Sequence, residues 1–231
     1  MRVRVATTAL GITVALLSLP ACSTDAPGAE HQPPSSVRTG NSVDAVQKPA
    51  PLSSAALGSR LLDQSDLGSG YLPKQQRPVR HDDVTVFGCP ELSKLGGEAA
   101  TGGTLAFPHK AKAAFTYGGS SSEISEELYS ASAEKLSDDV ERIFGAMTGC
   151  PTYQVVSGGT PVDVASQKLS TPHDLGDEQW SQLLTLTAGG RSTVVKQTAI
   201  RDGSLLLIVS GSPALVDRHL ARALAKATAT S

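Results

Sequence analysis

The spacing of apolar residues changes character several times along this chain. Behind Arg2 and Arg4, residues Val5 to Ala21 are uncharged and mostly apolar. That is the form of an export signal, and the run is short for a transmembrane helix, which needs about 20 apolar residues. From residue 23 to residue 52 the periodicity disappears, with Pro27, Pro33, Pro34, Pro49 and Pro51 set among Ser, Ala and Gly and no aromatic residue. Such a segment cannot bury enough apolar surface to offset its ordering entropy, and it is expected to be a disordered tether.

Pattern returns at Ala55. Leu57, Leu61 and Leu62 predict a short helix up to Leu67, ended by Gly68, Gly70 and Pro73. Alternation in Val84–Gly88 predicts a strand leading into Cys89, and a second strand is expected at Ala113 to Tyr117. The longest helix is expected to start at Ser120, which with Glu123 has the form of a capping box. It would carry Ile124, Leu128, Leu136, Val140, Ile143, Phe144 and Met147 at helical spacing and stop at Gly149 and Pro151.

Beyond Pro151 the period becomes two. Strands are predicted at Tyr153 to Ser157, Val162 to Leu169 and Trp180 to Thr187. Gly189 and Gly190 turn the chain into "STVVKQTAIR", and Asp202-Gly203 turns it again into "SLLLIVS", an antiparallel meander whose last strand is apolar enough to be covered on both faces. Ser212 and Pro213 open a C-terminal helix with Leu215, Val216, Leu220, Ala223, Leu224 and Ala227 inward. Arg218, Arg222 and Lys226 line its other side as a solvated face. The expected fold class is α+β: a twisted antiparallel sheet covered by one long helix and a C-terminal helix, as a two-layer sandwich.

Cysteines and charge narrow the setting. Leu19-Pro20-Ala21-Cys22 closes the export signal and resembles the lipobox of bacterial lipoproteins, in which the cysteine takes a diacylglycerol and becomes the first residue of the mature chain. The expected organisation is therefore a signal peptide over residues 1–21, a lipidated Cys22 and tether over 22–52, and one domain over 53–231, held on the extracytoplasmic face of the cell membrane. Cys89 and Cys150 remain, and outside the membrane such a pair is most simply a disulfide; buried thiols or metal ligands are the alternatives, the latter without CxxC or paired-His spacing. The formal net charge is −2, with no clustered basic face of the kind nucleic acid requires.

Candidate chemistry is sparse. Ser132 and Lys135 match SxxK, but its companion motifs are absent. "HDLGDE", His173 to Glu178, gathers an imidazole and three carboxylates, as His81 with Asp82 and Asp83 does on a smaller scale; both read as polar turns. His31 falls in the tether, and His109 and His219 have no evident company. There is no GxSxG elbow, HExxH, Walker loop, GxGxxG or EF-hand loop. No catalytic residue, metal or cofactor is expected.

"LLDQSDLGSGY", "GCPEL", "GCP" at the end of the long helix, "LGDEQW" and "AIRDGSLLLIV", behind a Pro/Ser-rich tether, together resemble the PknH-like extracellular sensor domain, found outside some actinobacterial serine/threonine kinases and in stand-alone lipoproteins. The resemblance implies an α+β domain with a twisted antiparallel sheet, a ligand-binding cleft and no enzymatic activity. It matches Cys89 and Cys150 to a disulfide pair, Leu175-Gly176-Asp177-Glu178 to the turn before the meander and Arg201-Asp202-Gly203 to its last hairpin. The kinase version has a second disulfide that this chain cannot form, and no kinase is present here. The expected function is a tethered, non-enzymatic sensor or binding domain for a small or amphipathic cell-envelope ligand, with Tyr117, Tyr153, Trp180 and Arg201 as candidate contacts. The alternative is a module that docks on another envelope protein.

Overall fold

The computed structural model describes residues 50–75, 84–96, 107–119, 122–170 and 175–229. Cys22 and most of the tether lie outside them, as do Ser120, His81–Asp83 and His173. In chain order the elements are α1 (Ser54–Gly58), α2 (Gln64–Leu67), β1 (Tyr71–Pro73), β2 (Val84–Phe87), α3 (Pro90–Leu95), β3 (His109–Tyr117), β4 (Glu123–Ser130) and α4 (Ala133–Gly149). They continue with β5 (Thr152–Ser157), β6 (Thr160–Lys168), β7 (Glu178–Ala188), β8 (Arg191–Asp202), β9 (Leu205–Gly211) and α5 (Pro213–Thr228). The strands form one antiparallel sheet in the order β1-β3-β4-β9-β8-β7-β6-β5-β2.

β9 organises the packing. All of Leu205 to Val209 is buried, so its side chains need apolar cover in both directions. Leu205, Leu207 and Val209 meet Leu215, Val216, Leu220 and Ala223 of α5, with α1 and α2 completing that cluster. Leu206 and Ile208 point the other way, to Leu136, Val140 and Phe144 of α4. The two long helices therefore lie on opposite faces, and over β8 and β9 the molecule is helix, sheet, helix in place of the expected two layers. A third cluster joins α3 and the end of α4 to β2, β5 and β6, where Cys89 and Cys150 form a disulfide with Cα atoms 5.7 Å apart.

The expected long helix is shorter at its start, because Glu123–Ser130 is strand. Ile124, Glu126 and Leu128 face α5 while Glu127 and Tyr129 face the other way, but a glutamate in an inward slot disguised the period of two. The helix begins instead at Ser132, whose Oγ accepts the Lys135 N–H at 3.4 Å. The helix expected over 55–67 is two short turns. Leu62 donates its N–H to Glu126 rather than to a helical carbonyl, and Asp63 then starts α2 with a capping box to Asp66. β3 runs four residues further back than expected, and β1 is too short to show a sequence pattern.

Candidate functional site

Among the described residues, most of those singled out for chemistry hold the fold together. Ser132 is a helix cap, and Lys135 pairs with Asp139 at 2.7 Å over the Phe107 ring, so they form no nucleophile and base. In "HDLGDE", the described part is a clamp: Asp177 and Glu178 each bind Arg201 at 2.8 Å, and Asp177 also accepts the Gly203 N–H at 2.9 Å. The Gly203 N–H holds Asp177 below the usual carboxylate range, the Arg201 guanidinium does the same for Glu178, and Arg201 is raised in turn. Gly176 is required there, since at its φ of 66° a Cβ would come within 2.6 Å of the Arg201 carbonyl oxygen.

The basic line of α5 is also partly internal. Arg222 bonds Asp66 at 3.0 Å, and Lys226 pairs with both Asp63 and Asp66, fastening α2 to α5. His219 is buried and bonds the Tyr71 hydroxyl at 2.6 Å; desolvation, aided by Arg218 and Arg222, lowers its pKa. Close by, Glu126 is 2 % exposed, with one oxygen on the Leu62 N–H at 2.6 Å and the other unpartnered among the described residues. Burial pushes its pKa up to about 7.

The four candidate ligand contacts do not converge. Tyr117 lies on β3, its ring 4.7 Å from that of Tyr71. Tyr153 lies at the far side of the sheet on β5, its ring in the α3–α4 cluster and its hydroxyl pushed up to about 12 by burial. Trp180 and Arg201 share the α4 face of β7 and β8, Trp180 half-buried against α4 and Arg201 held in the clamp. Between that face and α4, Gln182 bonds Gln197 at 2.9 Å and Ser166 at 3.3 Å, which seals the space with satisfied polar groups.

Open space lies on the reverse side of the same strands. α5 covers the sheet only as far as β8, and β2, β5, β6 and β7 present an unpacked face with a groove of about 540 Å³. The register fixes a row across it: Phe87 opposite Gln154, Gln154 opposite Asp163, Asp163 opposite Thr187. Facing residues in register share a side of the sheet, so these side chains stand in line. Gln154 Nε2 donates to Asp163 Oδ1 at 2.8 Å, and the hydroxyls of Thr187 and Ser192 bond at 2.8 Å. Thr152 and Thr185 lie in the next row.

Two properties distinguish this groove. Phe87 is 54 % exposed at its edge, although it stands only two residues before disulfide-bonded Cys89. Asp163 is the single formal charge among the described residues lining it, in a chain of which 18 % is charged. Of the sequence candidates only Tyr153 borders the groove; Phe87 and Asp163 were missed because which face of β2 and β6 stays uncovered depends on strand pairing. The signal available was the run of uncharged alternate positions in predicted strands.

Among the described residues no helix is long and apolar enough to cross a membrane, and no cluster of ligating side chains could hold a metal ion. No family model matches the sequence, and no curated protein matches it. A search of solved structures returned the extracellular domain of PknH from Mycobacterium tuberculosis, with a TM-score of 0.59 at 13 % identity, covering 77 % of this chain and 97 % of that one. The chain therefore shares the fold of that extracellular domain, α+β with one large antiparallel sheet.

Proposed function

We propose that this protein is an extracytoplasmic sensor or binding domain, tethered to the outer face of the membrane by diacylated Cys22, that takes a cell-envelope ligand on the uncovered half of its sheet. One observation carries the reading. The groove across β2, β5, β6 and β7 is of ligand size, its lining among the described residues is nearly uncharged, and an exposed aromatic ring stands at its rim. A stability requirement does not explain an exposed phenylalanine, whereas a disulfide at the end of β2 would keep that ring in place. The likeness in fold to the extracellular domain of PknH and the export features of residues 1–22 support the location. No enzymatic step is assigned, since the motifs that suggested one are a helix cap and a salt-bridge clamp.

Docking on another envelope protein draws less support. It calls for a contiguous apolar patch, and on this face exposed Phe87 and Val194 are separated by β5, β6 and β7 with Gln154, Asp163 and Thr187 between them.

The test is amide hydrogen exchange on the lipidated protein with and without a solubilised envelope extract of the organism that makes it, the extract used untreated and after protease digestion. Protection of β2, β5 and β6 that survives digestion is the expected result. Protection abolished by digestion would favour the docking alternative, and an unprotected groove with either extract would overturn the proposal.

A further inference from the structure

The ligand class follows from what the groove lacks as much as from what it holds. An anionic ligand needs a cation, and the lining offers none among the described residues; Lys196, at the border on β8, is occupied by Asp217 of α5. For a cationic ligand there is one carboxylate, and one of its oxygens is taken by Gln154. A lipid tail requires an enclosed apolar slot, whereas this groove is shallow and bordered by Thr152, Thr185 and Thr187.

What remains is a row of fixed hydrogen-bonding groups beside an aromatic face. The Gln154–Asp163 bond orients both side chains and leaves Oε1 of Gln154, its second N–H and Oδ2 of Asp163 without partners among the described residues. That set accepts from and donates to neighbouring hydroxyls. Phe87, one strand away in the same row, offers an apolar surface on which a ring with axial C–H groups can rest. From Phe87 to Thr187 the row crosses three strand spacings, about 14 Å, roughly the length of two to three linked sugar rings.

We infer that the groove binds a neutral, hydroxyl-rich oligosaccharide, with Phe87 as the stacking platform and the Gln154–Asp163 pair as the hydroxyl-reading element. The inference rests on the groove being the ligand site and specifies what occupies it. The same chemistry applies whether the sugar is part of a wall polysaccharide or a free oligosaccharide.

The test titrates the full lipidated protein in detergent with maltohexaose, cellohexaose, xylohexaose and arabinohexaose, using hexagalacturonate and anionic phosphatidylglycerol vesicles as charged probes, and maps each by hydrogen exchange. At least one neutral oligosaccharide should bind and protect β2, β5 and β6. Phe87→Ala and Asp163→Ala should each weaken that binding at least about tenfold, while Lys112→Ala, on the opposite face, should leave it within about twofold. Both groove positions are exposed, so thermal melts of the variants should match the wild type. Protection of the groove by the charged probes alone would overturn the saccharide and leave the binding site standing. No neutral probe in the groove, with the protease-treated extract still protecting it, would likewise end the inference but not the proposed function. An extract that fails to protect the groove would remove both.

Discussion

The sheet has two regions that no helix among the described residues covers, at opposite ends and on opposite faces, and they solve contact with water differently. On the α4 side of β1, β3 and the outer end of β4, Lys74, Lys110, Lys112 and Glu123 stand exposed beside Leu72, which is 58 % exposed, and Lys74 and Lys112 pair with Glu123 and Glu127. Paired opposite charges are the usual dress of a solvated sheet face. On the α5 side of β2, β5, β6 and β7 the alternate positions are Thr, Gln, Ser, Ala, Val, Leu, Pro and Phe with a single Asp. Both regions sit on strands of one sheet, so the fold does not dictate the difference. A near-absence of charge where charge would be harmless points to a surface shaped by what touches it.

The largest expected effect concerns how the neutral region is held. Replacing Cys89 and Cys150 together by Ala releases a loop closed over a sequence separation of 61 and should cost up to about 4 kcal/mol, read as a lower denaturation midpoint. Exchange should rise first in β2, and β1 at the charged end should be unaffected; uniform loosening would break the assignment of the disulfide to the groove.

Next comes Glu126, beneath the other half of the sheet. Its folded pKa, about 7, lies above the ordinary glutamate value of 4.5, so the folded state binds the proton more tightly. The stabilisation is fully present below pH 4.5 and is lost as pH rises through 7, a difference on the order of 3 kcal/mol. Glu126→Gln should therefore melt higher than the wild type at pH 8 and lose that advantage near pH 5. His219, depressed, acts in the opposite sense by losing stability as pH falls through the 6.5 region, so the quantity to follow is the difference between the two proteins. A constant difference from pH 5 to 8 would show that Glu126 does not titrate there.

A charge transplant gives a smaller but sharper comparison. Thr185→Lys or Thr187→Lys copies the chemistry of the β3 face into the groove, and either should change stability by no more than about 0.5 kcal/mol while weakening ligand binding about tenfold or more. Unchanged binding would mean that the neutrality of the face has no bearing on recognition. Smallest of all, Lys74→Met breaks an exposed pair with Glu123 and should cost less than about 1 kcal/mol, further reduced at high salt. A larger, salt-insensitive loss would show that the charged face does structural work beyond solvation.

The elements that could be read from the chain are those whose signals are local. The β7–β8–β9 meander follows from two short turns, the alternation of β7 and the unbroken apolar run of β9, and α5 from Ser212-Pro213 and its apolar stripe. β4 escaped because Glu126 occupies an inward slot, so that Glu126 and Glu127 looked like the acidic first turn of a helix. The clamp at Asp177, Glu178 and Arg201 was visible as residues, yet it looked like chemistry until the register brought Arg201 opposite Glu178.

By itself the sequence determined the class of the fold, the pairing of Cys89 with Cys150 and the two turns of the meander, because these depend on periodicity, parity and turn residues that act within a few positions or through one covalent bond. Only the tertiary structure decided that α4 and α5 take opposite faces, and that β2 pairs with β5, setting Thr85 against Val156. Both outcomes arise from long-range burial, since β9 is apolar on both sides and β2 must cover the edge of β5. The groove is what that arrangement leaves uncovered, and no residue lining it carries the information alone.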